Sequence, residues 1–342
     1  MSHSIEKLIH VAVAVIRNRE NEILVSQRLQ HAHQGGLWEF PGGKRETGET
    51  LFAALQREIK EELALDVYAA QPLISIAHDY EDRSVLLDVW TVSAYSGEPV
   101  SCEGQRFKWV SEQELSLLAM PAADIPIVTA VKLPERYVIS SEPGWLQQAC
   151  QGDKPSALKH KAINRFLTEF ENTVRQYPAM VQLRLKAIDQ ESKSVLVQAC
   201  LAIAKQHQCK LLLNASIEAA CAAGADGVHL DGRQLLTMQQ AATGADELTK
   251  EFSCDFMVAA SCHDEQQLAL AQELGVDFAV LSPVKETRSH PDSDCLGWEK
   301  FSELVSDCKI PVYALGGLGP DDTSYARQQG AQGVAGIRAF WN

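Results

Sequence analysis

The chain has 342 residues, 46% of them apolar and 22% charged, which is ordinary for a globular protein and long enough for two domains. A net charge of −14 excludes a general nucleic-acid-binding surface, since no basic excess is left to neutralise a phosphate backbone. It leaves room for a small anionic substrate, because a bound cation can invert the local field.

The opening MSHSIEKLIHVAVAVI has too short an apolar stretch for a membrane span, and it lacks the basic leader and cleavage site of a secretory signal. Nine scattered cysteines, with no C-x-x-C pair, fit a reducing compartment. A cytoplasmic protein without a membrane partner is the expectation. Residues 9–134 are strand-rich. HVAVAVIRN and NEILVSQRL alternate around a polar turn at Arg19 to Asn21 and predict a hairpin. One helix follows a glycine turn. Strands LISIAHDY, SVLLDVWTVSAY and RFKWV come next, then a helix from about Ala123 to Lys132. Long strands around few helices predict an α+β sandwich. After VKLPER, where Pro134 stops the preceding helix, the rhythm changes. RYVISS, MVQLRLKA, KLLLNAS, GVHL, FMVAASC, FAVLSP, PVYALGG and GVAGIR are short apolar runs separated by helix-like segments. Buried parallel strands alternating with helices predict a (β/α)8 barrel. The expected domains are residues 1–133 and 134–342.

With Thr50 as N-cap, the first helix should run from Leu51 to Leu63. Leu51, Phe52, Leu55, Ile59 and Leu63 then form an apolar stripe, with Glu58, Glu61 and Glu62 clustered along its flank. Each like-charge pair costs roughly 0.2–0.5 kcal/mol. On charge alone the cluster reads as a solvated edge balanced by Arg57 and Lys60. The spacing points elsewhere. Gly43-x5-Glu49-x7-Arg57-Glu58-Ile59-x-Glu61-Glu62-x-Ala64-Leu65 resembles the Nudix box, G-x5-E-x7-R-E-U-x-E-E-x-G-U, in every fixed position but the last glycine.

The resemblance implies an α/β/α Nudix sandwich over residues 8–133, closest to the MutT type, which hydrolyses 8-oxo-dGTP to monophosphate and pyrophosphate and so serves nucleotide-pool sanitation and DNA repair. Attack of water on such a phosphate needs its negative oxygens neutralised. Hard divalent ions do this and take carboxylate ligands, so Mg2+ is implied, with Mn2+ as the alternative. Glu58, Glu61 and Glu62 would hold metal and share the catalysis, joined by Glu103 of CEGQ. Gly42 and Gly43 would shape the turn, and Glu49 would brace Arg57. Arg28 and Lys44 fall where the type contacts phosphate, and Arg83 where an arginine meets the base. Asp124 stands where the type carries an asparagine. Asparagine donates and accepts, whereas ionised aspartate only accepts. A modified cytosine nucleotide therefore stays open beside 8-oxo-dGTP, as does a thiamine-precursor pyrophosphate.

Residues 135–342 resemble the thiamine phosphate synthase/TenI barrels through VQLRLKA, GADGVHL, ASCHDEQQLALAQELGVDFAVLSP and IPVYALGG. Gln182, Arg184 and Lys186 alternate along the second strand and in a synthase would hold pyrophosphate. Gly316, Gly317 and the GVAG turn fit its phosphate cradle. The metal-binding aspartates of synthases are absent: Asn214 precedes Ala215, and the second position falls at Gln234, with Asp231 nearby. The usual threonine–lysine pair is reduced to Thr287 followed by His290, and the last phosphate-turn serine is replaced near Arg338. A degenerate synthase is expected. His263 matches the proton-moving histidine of TenI-type tautomerases, which need no metal. Tautomerase, sensor of a thiamine-pathway phosphate and inert scaffold all stay open for this half, as does a homodimer.

Overall fold

The computed structural model describes residues 8–80, 83–152, 154–177, 180–241, 244, 256–286 and 295–341. The chain divides into two compact units at Leu133/Pro134, with the short segments Val305–Pro311 and Gly330–Gln332 counted with the first. Thr287 and His290 lie outside the described residues.

In the first unit, strands β1 (Ile9–Val15), β4 (Gly42–Lys44), β5 (Asp66–Asp79) and β6 (Ser84–Ser96) form one sheet in the order β4-β1-β6-β5. Strands β2 (Ile23–Gln27), β3 (Trp38–Glu39) and β7 (Arg106–Val110) form a second, in the order β3-β2-β7. Strict alternation along β1 divides the core. Val13 and Val15 point to a cluster with Phe40, Leu73, Ile127 and Val131. Ala12, Ala14 and Ile16 point the other way, onto Leu55, Ile59 and Leu63 of the helix α1 (Leu51–Leu63). Period-two side chains with both faces apolar call for a helix on each side, and the result is an α/β/α sandwich.

The expected hairpin holds only at its neck. Asn18 N–H donates to Glu22 O at 3.0 Å and Leu24 N–H to Ile16 O at 3.0 Å, after which β1 and β2 enter different sheets. Residues 122–124 form a single 3-10 turn before the helix Ile125–Lys132. Pro126, inside its first turn, needs no N–H there.

Thr50 Oγ1 accepts from Ala53 N–H at 3.1 Å, so α1 starts where its cap predicts. It ends at Ala64, held in the left-handed region at φ 58°. That conformation costs a side-chain-bearing residue roughly 1 kcal/mol, and glycine escapes the penalty. Ala64→Gly should therefore raise the melting midpoint of the first unit slightly, by calorimetry, without altering activity.

The second unit is a closed parallel barrel in the order β10-β11-β12-β13-β14-β15-β8-β9. Its strands are β8 (Arg136–Ile139), β9 (Met180–Leu183), β10 (Lys210–Leu213), β11 (Gly227–Leu230), β12 (Met257–Cys262), β13 (Phe278–Leu281), β14 (Val312–Leu315) and β15 (Gly333–Gly336). Each coincides with one apolar run, because a strand covered on both faces keeps no polar alternation. Tyr137, Phe278 and Tyr313 fill the interior, with ring centroids 5.3, 5.4 and 5.6 Å apart. The barrel interior is thus a packed core rather than a pore.

Candidate active site

Strand β4 lies antiparallel to β1, with Ala12 opposite Gly43 and Val13 opposite Gly42. This brings the glycine turn against the flank of α1. A Cβ on Gly43 would fall 2.2 Å from the Glu58 carboxyl carbon, so only a bare backbone lets that carboxylate lie where it does. Arg57 occupies the middle of the ridge. Its Nε and one terminal nitrogen grip Glu49 at 2.8 and 3.0 Å, the second contact shared with Lys44 O at 3.0 Å. Its other terminal nitrogen reaches Glu58 at 2.8 Å and Glu61 at 3.1 Å. Hydrogen bonding to Arg57 draws the Glu49 carboxyl down to about 2, and the same bonds push the guanidinium further up.

Glu62 is the anomaly. It is largely enclosed, and its Oε2 is buried without a hydrogen-bond partner. Burial, then the neighbouring carboxylates of Glu39, Glu58 and Glu103, raise its pKa to about 8, opposed by a hydrogen bond from Gly42 N–H. The Glu62 carbonyl accepts from Cys102 N–H at 3.0 Å and from Gln105 Nε2 at 3.3 Å, which fastens the CEGQ turn to the end of α1 and sets Glu103 beside it. Four carboxylates and an orphaned oxygen are what a hard cation would relieve, so these residues fit a divalent ion. Among the described residues, no three His, Cys, Asp or Glu side chains already converge on one metal-sized point. Glu58 and Glu61 lean on Arg57 instead.

Across from the ridge, Arg28 pairs with Glu39 and donates from Nε to His33 O at 2.7 Å. Burial raises the Glu39 carboxyl despite that arginine. Asp124, only 6% exposed, accepts a long 3.4 Å bond from Phe40 N–H. Burial first, and the Glu39 charge second, raise it to about 7. Burial likewise raises the phenol of Tyr80, which lies within electrostatic reach of Asp124, Arg28 and Glu39. Arg83 is half-buried just after this tyrosine, its carbonyl accepting from Tyr80 N–H at 2.8 Å. The Lys44 side chain is exposed. Glu39 and Tyr80 escaped the sequence reading; the signal available was the LWEFPGGK stretch, in which the acid precedes the glycine turn by three residues.

In the barrel, Gln182 is buried, but β9 ends at Leu183, so Arg184 and Lys186 sit on the loop beyond the strand rather than within it. Glu142 accepts from the backbone N–H of Lys186 and of Ala187, both at 2.8 Å, and fixes that loop. His263 is exposed, with Nδ1 2.9 Å from the Ser282 carbonyl. A carbonyl can only accept, so Nδ1 carries the proton in that bond. A Cβ on Gly316 would fall 2.8 Å from Pro283 Cα, and one on Gly317 2.7 Å from Glu286 O. Close packing on the 283–286 segment therefore demands these glycines.

The description "NUDIX domain" fits residues 12–130, and "Thiamine monophosphate synthase" fits residues 157–340. An 8-oxo-dGTP diphosphatase of Escherichia coli is 36% identical over 126 residues, 37% of this chain and 98% of that protein. A CTP pyrophosphohydrolase of the same organism is 36% identical over 124 residues, 36% of this chain and 91% of that protein. A protein of Aquifex aeolicus, provisionally named thiamine-phosphate synthase 2, is 32% identical over 182 residues, 53% of this chain and 93% of that protein. No described helix is long and apolar enough to cross a membrane. The chain accordingly belongs to the Nudix family in its first unit and to the thiamine monophosphate synthase/TenI family in its second.

Proposed function

We propose that the first unit is a Mg2+-dependent nucleotide pyrophosphohydrolase that cleaves an oxidised, 8-oxo-dGTP-like triphosphate to monophosphate and pyrophosphate. The observation that carries this reading is the enclosed Glu62, facing Glu39, Glu58 and Glu103 with an oxygen that no protein donor reaches. Glu58, Glu61, Glu62 and Glu103 would hold the divalent ion, Mg2+ or Mn2+. The ion would supply a Lewis acid for the phosphate oxygens and a lowered pKa for an attacking water. The chain's own residues do the rest. Gly43 keeps the Glu58 carboxylate against the backbone, Glu49 pins Arg57, and Arg28 and Lys44 receive the phosphates. Asp124 and Arg83 read the base. A carboxylate freed from its partners beside the ion would take the water's proton.

A second substrate is favoured by two observations. Asp124 replaces an amide that can both donate and accept, and a relative of equal identity acts on CTP. A pyrimidine triphosphate is the alternative, and a thiamine-precursor pyrophosphate, with the barrel as sensor or scaffold, is the third. A nucleotide panel with product chromatography tests all three. Pyrophosphate release from 8-oxo-dGTP is expected to dominate, and no release from any triphosphate would sink the enzyme reading. Glu61→Gln should lower kcat by orders of magnitude with the fold unchanged by circular dichroism. An unchanged rate would show that the metal lies elsewhere. For the barrel, the reading is a degenerate synthase that either binds a phosphate ligand or, through His263, moves a proton in a thiazole phosphate.

A further inference from the structure

Four consecutive residues, 39–42, are tied to three groups of the first unit's site. The Glu39 carboxylate pairs with Arg28. Phe40 N–H donates to Asp124 Oδ1 at 3.4 Å. Gly42 N–H donates to the Glu62 carboxylate. The segment has little room to shift. Phe40 is buried in the core with Val13 and Ile127, the Pro41 carbonyl accepts from Ala14 N–H at 2.8 Å, and a Cβ on Gly42 would fall 2.1 Å from Ala12 O. Glu39 lies opposite Ser26 in the β2–β3 ladder, so its carboxylate starts from a fixed point.

Asp124 is the group that this arrangement leaves short of support. It is buried in the 3-10 turn before the helix Ile125–Lys132, and the long bond from Phe40 is the one hydrogen bond its carboxylate receives among the described residues. A buried ionised carboxylate needs several donors or a nearby cation. Arg28 is a cation within reach, and it is committed. Its guanidinium pairs with Glu39, and its Nε donates to His33 O at 2.7 Å. Tyr80, which also bears on Asp124, adds no charge, because burial raises its phenol further. Burial is the first cause that favours the acid form of Asp124, and the Glu39 charge is the second. Glu39 therefore acts on Asp124 twice. Its own charge opposes another negative charge beside it, and it occupies the guanidinium that would otherwise favour the anion. Both effects preserve the form that offers a hydroxyl donor next to a carbonyl acceptor.

We propose that Glu39 is a specificity-determining positioning residue: by occupying Arg28 and facing Asp124 it keeps Asp124 able to donate to the base, and so favours an oxidised guanine over a cytosine. This rests on the reading of Asp124 as a base contact and deepens it. Calorimetry of the full chain in EDTA, from about pH 5.5 to 8.5, with 8-oxo-deoxyguanosine and separately with deoxycytidine, is the test. Neither probe carries a phosphate, so the acidic ridge and its ion take no part. Parent affinity for 8-oxo-deoxyguanosine should fall about tenfold across that range. In Glu39→Gln the fall should be centred about one pH unit lower, and at pH 7 the preference for 8-oxo-deoxyguanosine over deoxycytidine should shrink about fivefold. Glu39→Asp keeps the charge and should restore the parent profile, which general loss of packing would not do. In the Asp124→Asn background, Glu39→Gln should leave the pH dependence where it is. A parent that binds 8-oxo-deoxyguanosine while Glu39→Gln follows the same pH profile overturns the proposal and leaves the base reading standing. So does a shift that persists with Asp124→Asn. A parent that binds neither probe at any pH overturns the base reading and the proposal together.

Discussion

Glu62→Gln should cut kcat/KM for the triphosphate by on the order of a thousandfold, about 4 kcal/mol of lost transition-state stabilisation, and at the same time make the metal-free protein more stable. The two effects share one cause. In the folded chain the Glu62 carboxyl titrates at about 8, against an ordinary 4.5, because it is buried beside Glu39, Glu58 and Glu103. Between those values the folded state holds a proton that the unfolded state has released. The contribution of this group is therefore fully present below about pH 4.5 and is lost as pH rises toward 8. At neutral pH the deficit amounts to as much as about 3 kcal/mol, and a neutral glutamine removes it. Urea titrations in EDTA at pH 7.5 should show the variant ahead of the parent. Added Mg2+ should stabilise the parent and do little for the variant. A variant less stable than the parent in EDTA would mean that Glu62 is an ordinary structural carboxylate.

Asp124→Asn should change which base is accepted and how pH governs the choice. Asp124 is buried, receives a single long hydrogen bond from Phe40 and faces the Glu39 carboxylate, with Arg28 and Tyr80 nearby. Held as an acid below about pH 7, it offers a hydroxyl donor and a carbonyl acceptor, the pair an asparagine offers. Above that pH it can only accept. For the parent, kcat/KM on 8-oxo-dGTP is expected to fall by about tenfold or more as pH rises from 6 to 8.5, since a buried donor left unmade costs about 1–3 kcal/mol. The asparagine variant should hold its rate over the same range. Relative rates on a modified cytosine triphosphate, whose exocyclic amine needs an acceptor, should move the opposite way in the parent. Parallel pH profiles for parent and variant would remove Asp124 from base reading.

The acidic helix was legible because its information is local. Thr50, the stripe of Leu55, Ile59 and Leu63, and the spacing of Glu58, Glu61 and Glu62 all lie within one stretch of chain. The barrel strands were legible for a related reason, since burial on both faces erases polar alternation and leaves runs such as FAVL. What stayed hidden depends on partners distant in sequence. Glu39 matters through Glu62 on another element, and Gln234 through Ala215, which it reaches across 19 residues. Tyr137 meets His229 across 92 residues. The β1–β2 neck was visible in its turn residues, but the parting of the two strands is decided by what each pairs with later, β6 and β4 for one and β7 and β3 for the other. The left-handed Ala64 marks where the family glycine would have relieved the backbone.

The guanidinium of Arg57 bears on how the ridge would take up a cation. Held by Glu49 on one side, it extends its remaining nitrogen to Glu58 and Glu61, so the ridge carries a tethered counter-ion of its own. An arriving cation has to win two carboxylates from a competitor that cannot diffuse away. Loading with Mg2+ should be displaced to correspondingly higher concentration, since a fixed intramolecular competitor lowers the apparent affinity without changing the form of the curve.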